Sequence, residues 1–145
     1  MPLRRQSFIP LVMALAFAAC GDSGSPLDPG NARTIKATPA FGADIVEIFT
    51  RRGCTAGNCH GNGSGNLTLT SSASGNYARL VGVTSPNSGE VYVIVNDANA
   101  SYLVKKLENR QGAGNGSTMP QGSGALDNID LTNIKNWINT GAPNN

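Results

Sequence analysis

Histidine is almost missing from this chain: His60 is the only one in 145 residues. Sites built on two or more imidazoles are thereby excluded, and a zinc site would need Cys54, Cys59, His60 and a carboxylate to complete it. Sulfur is nearly as scarce. Of three cysteines and three methionines, Met1, Met13 and Cys20 belong to an N-terminal leader or its end, which leaves Cys54, Cys59 and Met119. Aromatic residues make up 6% of the chain, too few for a large self-sufficient core. A surplus of charge is absent as well. Arg4 and Arg5 lie in the leader, so nine basic residues face nine acidic ones in the remainder. Nothing there steers the protein toward nucleic acid. The longest apolar run, Phe8 to Ala19, falls short of the roughly 20 residues that a membrane-spanning helix needs.

That run follows Arg4 and Arg5 and ends in Ala18-Ala19-Cys20, the pattern of an export signal with small residues before its processing site. Residues 1–19 read as a signal peptide and Cys20 as a lipidated first residue. Phe17 departs from the branched aliphatic usual three places before such a cysteine, and plain secretion with a free Cys20 is the alternative. From Gly21 to Thr38 the chain is small, polar and punctuated by Pro and Gly, with no apolar period. Residues 20–39 are therefore expected to be a lipid-anchored tether, able to reach on the order of 60 Å when stretched. The expected location is periplasmic or on the cell surface. Gly21, rather than aspartate, after the lipid site points to the outer membrane if the host has two.

The domain is expected over residues 40–145 as mainly α, with long loops rich in Gly and Asn. Phe41, Ile45, Ile48 and Phe49 form one helical stripe that Gly53 should end. Leu67 and Leu69 alternate with threonines and predict a short extended segment, and a second helix is indicated around Tyr77 to Leu80. Val91 to Val95 reads as a strand on β-branched content alone. A helix should start near Ala98, with an apolar stripe over Tyr102, Leu103, Lys106 and Leu107 and its basic residues outward. The last helix has the clearest signals. Asp127 is its N-cap, Leu131, Ile134, Trp137 and Ile138 its stripe, and Gly141 and Pro143 its stops. That stripe should cross the first helix. Arg51 and Arg52 read as solvated charge at a helix C-terminus, with pairing to the acidic groups of a cofactor or docking of a partner as the alternative, and Lys105 and Lys106 are read in the same way; Tyr77, Tyr92 and Trp137 read as packing groups.

The rare residues cluster in Cys54-Thr55-Ala56-Gly57-Asn58-Cys59-His60. Two thiols can add to the two vinyl groups of a haem, and a histidine just after the second can place its imidazole on the iron. Met119, in a loop rich in Gly and Pro, is the one thioether left to serve as a second, soft neutral ligand. A disulfide between Cys54 and Cys59 is the competing use of the pair in an oxidising compartment. A gap-filling core residue is the plain alternative for Met119.

Further blocks carry a family resemblance: Gly65-Asn66-Leu67-Thr68-Leu69 after Cys59-His60-Gly61, then Asn96 to Leu107, Met119-Pro120, and the ending Ile134 to Asn145. Over about residues 41 to 145 the chain resembles the single-haem cytochrome c-like domains of exported bacterial proteins, the planctomycete-type group among them. The resemblance implies a small cytochrome c-like fold, with N- and C-terminal helices crossing beside one haem c. It also implies thioethers at Cys54 and Cys59, His60 as proximal iron ligand and Met119 as distal ligand. One departure stands out, since four residues separate the cysteines where the family usually has two. Gly57-Asn58 is a turn-prone pair that would let the extra residues loop out.

The function expected on these grounds is one-electron transfer between redox protein partners, with the membrane reached through Cys20 and no substrate transformed. Two other readings remain open at this stage. One is a five-coordinate, peroxidase-like haem protein, for which no distal histidine or arginine motif is present. The other is a haem-free, disulfide-closed surface module that binds a partner.

Overall fold

The computed structural model describes residues 33–122 and 124–145. The leader, the lipidation candidate Cys20 and the tether up to residue 32 lie outside the described residues. The architecture is mainly helical, with no strand among the described residues. Nor, among them, is any helix long and apolar enough to cross a membrane.

A π-helical turn, Phe41–Ile45, runs directly into α1, Val46–Arg51, and together they bury the predicted stripe of Phe41, Ile45, Ile48 and Phe49. Gly53 follows with a φ of +74°, a left-handed conformation that glycine takes without Cβ strain, and the helix stops there. α2 spans Ala73–Leu80, α3 Tyr102–Leu107 and α4 Asn128–Asn139. In α4 the Asp127 carboxylate accepts the Asp130 backbone N–H at 3.0 Å, the expected N-cap. Positions i, i+3, i+4, i+7 and i+8 from Asp130 make its buried face, which ends in Trp137 and Ile138.

α4 packs on the π-helical turn, with the Phe41 and Trp137 rings 4.8 Å apart and Tyr77 edge-on to Phe41 at 5.4 Å. The end of the chain closes this crossing. Asn145 accepts the otherwise unpaired N–H groups of Phe41 and Gly42, Pro143 O accepts Trp137 Nε1, and Ala142 O accepts the Tyr77 hydroxyl. Two orphan donors at the start of the first helix are thus satisfied from a segment about 100 residues away.

Four expectations change. The ordered body reaches back past Ala40, because residues 33–39 are strapped along α4 and Pro39 is buried. Asn133 exchanges hydrogen bonds with Lys36 N and Thr34 O, and Asn136 donates to Lys36 O. Polarity and proline content had marked this stretch as tether, but its backbone groups find side-chain partners on the helix. Arg51 stays exposed at the helix end, as expected, but it is also paired. It joins Arg33 on Asp130, whose side chain is 1% exposed, with contacts of 2.7 and 3.0 Å. Val91–Val95 forms no strand, only isolated bridges of Val91 with Thr84, Val93 with Val81 and Ile94 with Asp97. Its backbone is instead used by irregular chain on one side and by the start of α3 on the other: Tyr92 N donates to Val83 O, while Tyr102 N and Leu103 N donate to Val91 O and Tyr92 O. Finally, α3 begins at Tyr102 rather than Ala98, because residues 98–101 form a turn in which Ser101 Oγ bonds Ile94 and Asp97.

The backbone bond from Asp130 and the pairing with Arg33 hold the Asp127 carboxyl below the usual carboxylate range. A folded pKa below the unfolded one means that Asp127 stabilises the fold above that range and ceases to do so as the pH falls through its lowered folded value. Asp127→Ala should therefore cost about 1 kcal/mol in urea unfolding at neutral pH. Asp127→Asn should keep most of the cap while losing the acid-dependent part. Equal stability of the alanine variant and the parent would remove Asp127 as the cap.

Candidate functional site

The chain leaving α1 builds one wall of a cavity of about 930 Å³, at the upper end of the roughly 300–1,000 Å³ typical of cofactor and ligand sites. Cys54, Cys59, His60 and Met119, the four residues singled out in the sequence, all line it. The remaining wall is largely apolar, with Phe49, Leu67, Leu69, Tyr92, Leu103 and Ile134 among its residues.

Residues 54–61 fold on themselves. Cys54 N donates to Phe49 O, Cys59 N to Ala56 O, His60 N to Cys54 O and Gly61 N to Ala56 O. The turn from Ala56 to Cys59 takes up the extra residues of the wide spacing, and both cysteines stay on the cavity wall as free thiols. Burial pushes the Cys54 thiol above its ordinary pKa, and the nearby Cys59 adds to the effect. Among the described residues no three His, Cys, Asp or Glu side chains gather as a cation site, so the Cys/Cys/His set that zinc would require does not converge.

His60 is oriented by its backbone neighbours. Its Nδ1 lies 2.8 Å from Ser64 O and 3.2 Å from Leu67 O. Both partners are acceptors, so Nδ1 carries the proton and Nε2 keeps its lone pair for a ligand. Such a bond on the far nitrogen is how proteins fix the tautomer and ring orientation of a metal-binding histidine. The acceptors are held in turn by local structure. Left-handed Gly63 and Gly65 shape the two short turns His60–Asn62 and Ser64–Asn66, and Leu69 N donates back to His60 O. Asn76, fully buried, pins Thr70 by bonding both its N–H and its C=O.

Met119 comes from the opposite part of the chain, partly buried against the core, with its N–H on Lys106 O at 3.0 Å. Two cations expected to face solvent, Arg52 and Lys106, border the same cavity. Arg52 donates from Nη2 to Ala125 O, while its Nε is buried with no partner. Lys106 turns its amine to the loop carbonyls of Asn115 and Ser117. The position of Arg52, directly before the cysteine motif, was the one signal that could have placed it here. Lys106 gave none.

This donor set fits a haem: two neutral ligands of different softness, two thiols, apolar walls and a buried N–H on Arg52 free to meet an acidic edge group. A cation site for a hard ion would need carboxylates that the wall does not offer.

Gly61 is where the motif is tightest. A Cβ built there would sit 2.2 Å from Thr55 O and 2.7 Å from Ala56 O, both backbone atoms that cannot step aside alone. Gly61→Ala should destabilise the domain by about 1–3 kcal/mol and displace the His60 ring resonances in NMR spectra. A variant with parental stability and unshifted His60 signals would contradict this packing.

Comparison of the chain with protein-family models, with curated proteins and with solved structures gives no match in any of the three.

Proposed function

We propose that this protein is an exported, lipid-tethered c-type cytochrome of cytochrome c-like fold that holds one haem c covalently and carries one electron at a time. The observation that carries the reading is the convergence of Cys54, Cys59, His60 and Met119 on one cavity, with His60 Nδ1 already engaged so that Nε2 is left as donor. The haem supplies the one-electron iron couple when bound. The chain supplies the rest.

In this reading Cys54 and Cys59 would hold the haem through thioethers, and His60 and Met119 would be its proximal and distal iron ligands. A thioether favours the reduced iron and raises the potential, and a low-polarity wall of Leu67, Leu69 and Leu103 would do the same by disfavouring the extra positive charge of the oxidised form. With His60 and Met119 both bound, no iron position would be left for oxygen or peroxide, which is why a carrier is preferred over an enzyme. The redox partners are exported proteins, and Cys20 with its lipid would hold the carrier near them at the outer membrane.

The test is a redox titration of the exported protein followed by visible absorption. A reversible one-electron transition with low-spin bands is expected. Met119→Ala should keep covalent haem, move the iron toward high spin and lower the potential, whereas His60→Ala should abolish the low-spin spectrum. An unchanged spectrum in either variant would sink that ligand assignment. Arg52→Gln removes a positive charge beside the cavity, so it should lower the potential while leaving the ligand bands in place. An unaltered potential would remove Arg52 from the site.

A further inference from the structure

The chain has four lysines, and three of them meet carboxylates: Lys36 pairs with Asp44, Lys105 with Glu90 and Lys135 with Glu108. Lys106 does something else. It lies on the cavity side of α3, and its ammonium donates to the backbone carbonyls of Asn115, at 2.9 Å, and Ser117. Its own carbonyl accepts the Met119 N–H. One residue therefore grips the loop from α3 to Met119 at three points, two through the side chain and one through the backbone.

The rest of the loop is built to accept that grip. Gly112, Gly114 and Gly116 all take left-handed φ values, so the chain curls rather than extends. Gln111 Nε2 donates to Gly116 O, and Asn115 Nδ2 donates to Gln111 O. Without this donor the partly buried Asn115 carbonyl would lose its partner, a cost for a backbone acceptor, while the exposed Ser117 carbonyl would turn to water and release the loop. A loop with this many glycines is otherwise floppy, because each glycine loses more conformational freedom on ordering than any other residue.

We propose that Lys106 is a positioning residue that sets Met119 as the distal donor by clamping the loop over residues 109–119, an inference that rests on the His60/Met119 reading above. The physical need is specific to this ligand. A thioether is a soft, neutral donor with no charge to draw it toward iron, so its ligation depends on the loop being preorganised to present it. His60 has its own preorganising bonds and does not depend on Lys106.

The experiment uses the haem-loaded protein and its Lys106→Leu variant, which keeps an apolar stem, removes the donors and adds no sulfur. Three properties are measured: intact mass, the weak charge-transfer band of a methionine–iron bond, and hydrogen exchange of amides 112–118 against those of α4. The expected result is unchanged covalent mass, loss of the methionine band with a lower potential, and loop amides exchanging about tenfold faster or more while α4 is unaffected. Lys106→Arg, which retains a cation and several N–H donors, should keep the band. Retention of the methionine band in K106L overturns the proposal, and so does a lost band with undisturbed loop protection. If K106L does not fold, K106Q is put to the same criteria. A parent protein without covalent haem would instead overturn the cytochrome reading itself, and loop exchange in that apo chain would then decide whether Lys106 clamps.

Discussion

The hydrogen bond from His60 Nδ1 to the Ser64 and Leu67 carbonyls is the contact on which the site depends. It selects the tautomer, aims Nε2, and ties the motif to the segment that carries Leu67 and Leu69 into the core. That segment is itself locked from behind by Asn76, which satisfies both backbone groups of Thr70. His60 is thus not a mobile side chain on a glycine-rich loop, although the local sequence is about as glycine-rich as a loop can be. A single imidazole can serve as a defined donor here because its second nitrogen is committed to the backbone.

Around this contact the domain distributes its stability unevenly. The packing of α4 on the π-helical turn buries Phe41, Trp137, Ile45, Ile134 and Ile138 completely, in one hydrophobic cluster with Leu80, Val93 and Val104. Asp130 extends it outward by gathering Arg33 and Arg51, which joins the entering strap, α1 and α4 at one buried carboxylate. Both arginines remain a third or more exposed, so the network serves geometry more than energy. Away from that crossing, the walls of the cavity are loops and short helices fixed by hydrogen bonds to backbone. Functional elements are commonly hung on a stiff scaffold in this way, and here the cofactor of the proposed reading would supply the apolar contacts that the loops lack.

Much of this was legible in the sequence, for local reasons. The stripe of Phe41, Ile45, Ile48 and Phe49, the stop at Gly53, the extended pair Leu67 and Leu69, and α4 with its Asp127 cap are all encoded within about a turn or two of chain. The π-helical geometry at Phe41–Ile45 was not, since an extra residue in one turn leaves the apolar period nearly unchanged. The strap over residues 33–39 was read as tether because its stability comes from Asn133 and Asn136, about 100 residues away. Val91–Val95 carries strand propensity, but its hydrogen bonds go to α3 and to residues 81–84, and composition cannot choose between those and a sheet. At the site, the unusual residues announced themselves by rarity. Arg52 and Lys106 did not, because an arginine or a lysine near a helix end is ordinary until the fold shows what it faces.

Whether Cys54 and Cys59 hold a haem is decided by mass spectrometry. The protein is exported from a host that carries cytochrome c assembly proteins, and the fragment containing both cysteines and His60 is weighed. The fragment is expected to be heavier by one haem, attached through both Cys54 and Cys59 despite the four residues between them. A fragment without haem and two hydrogens lighter than its reduced form would mean a Cys54–Cys59 disulfide, and the electron-carrier account would be wrong.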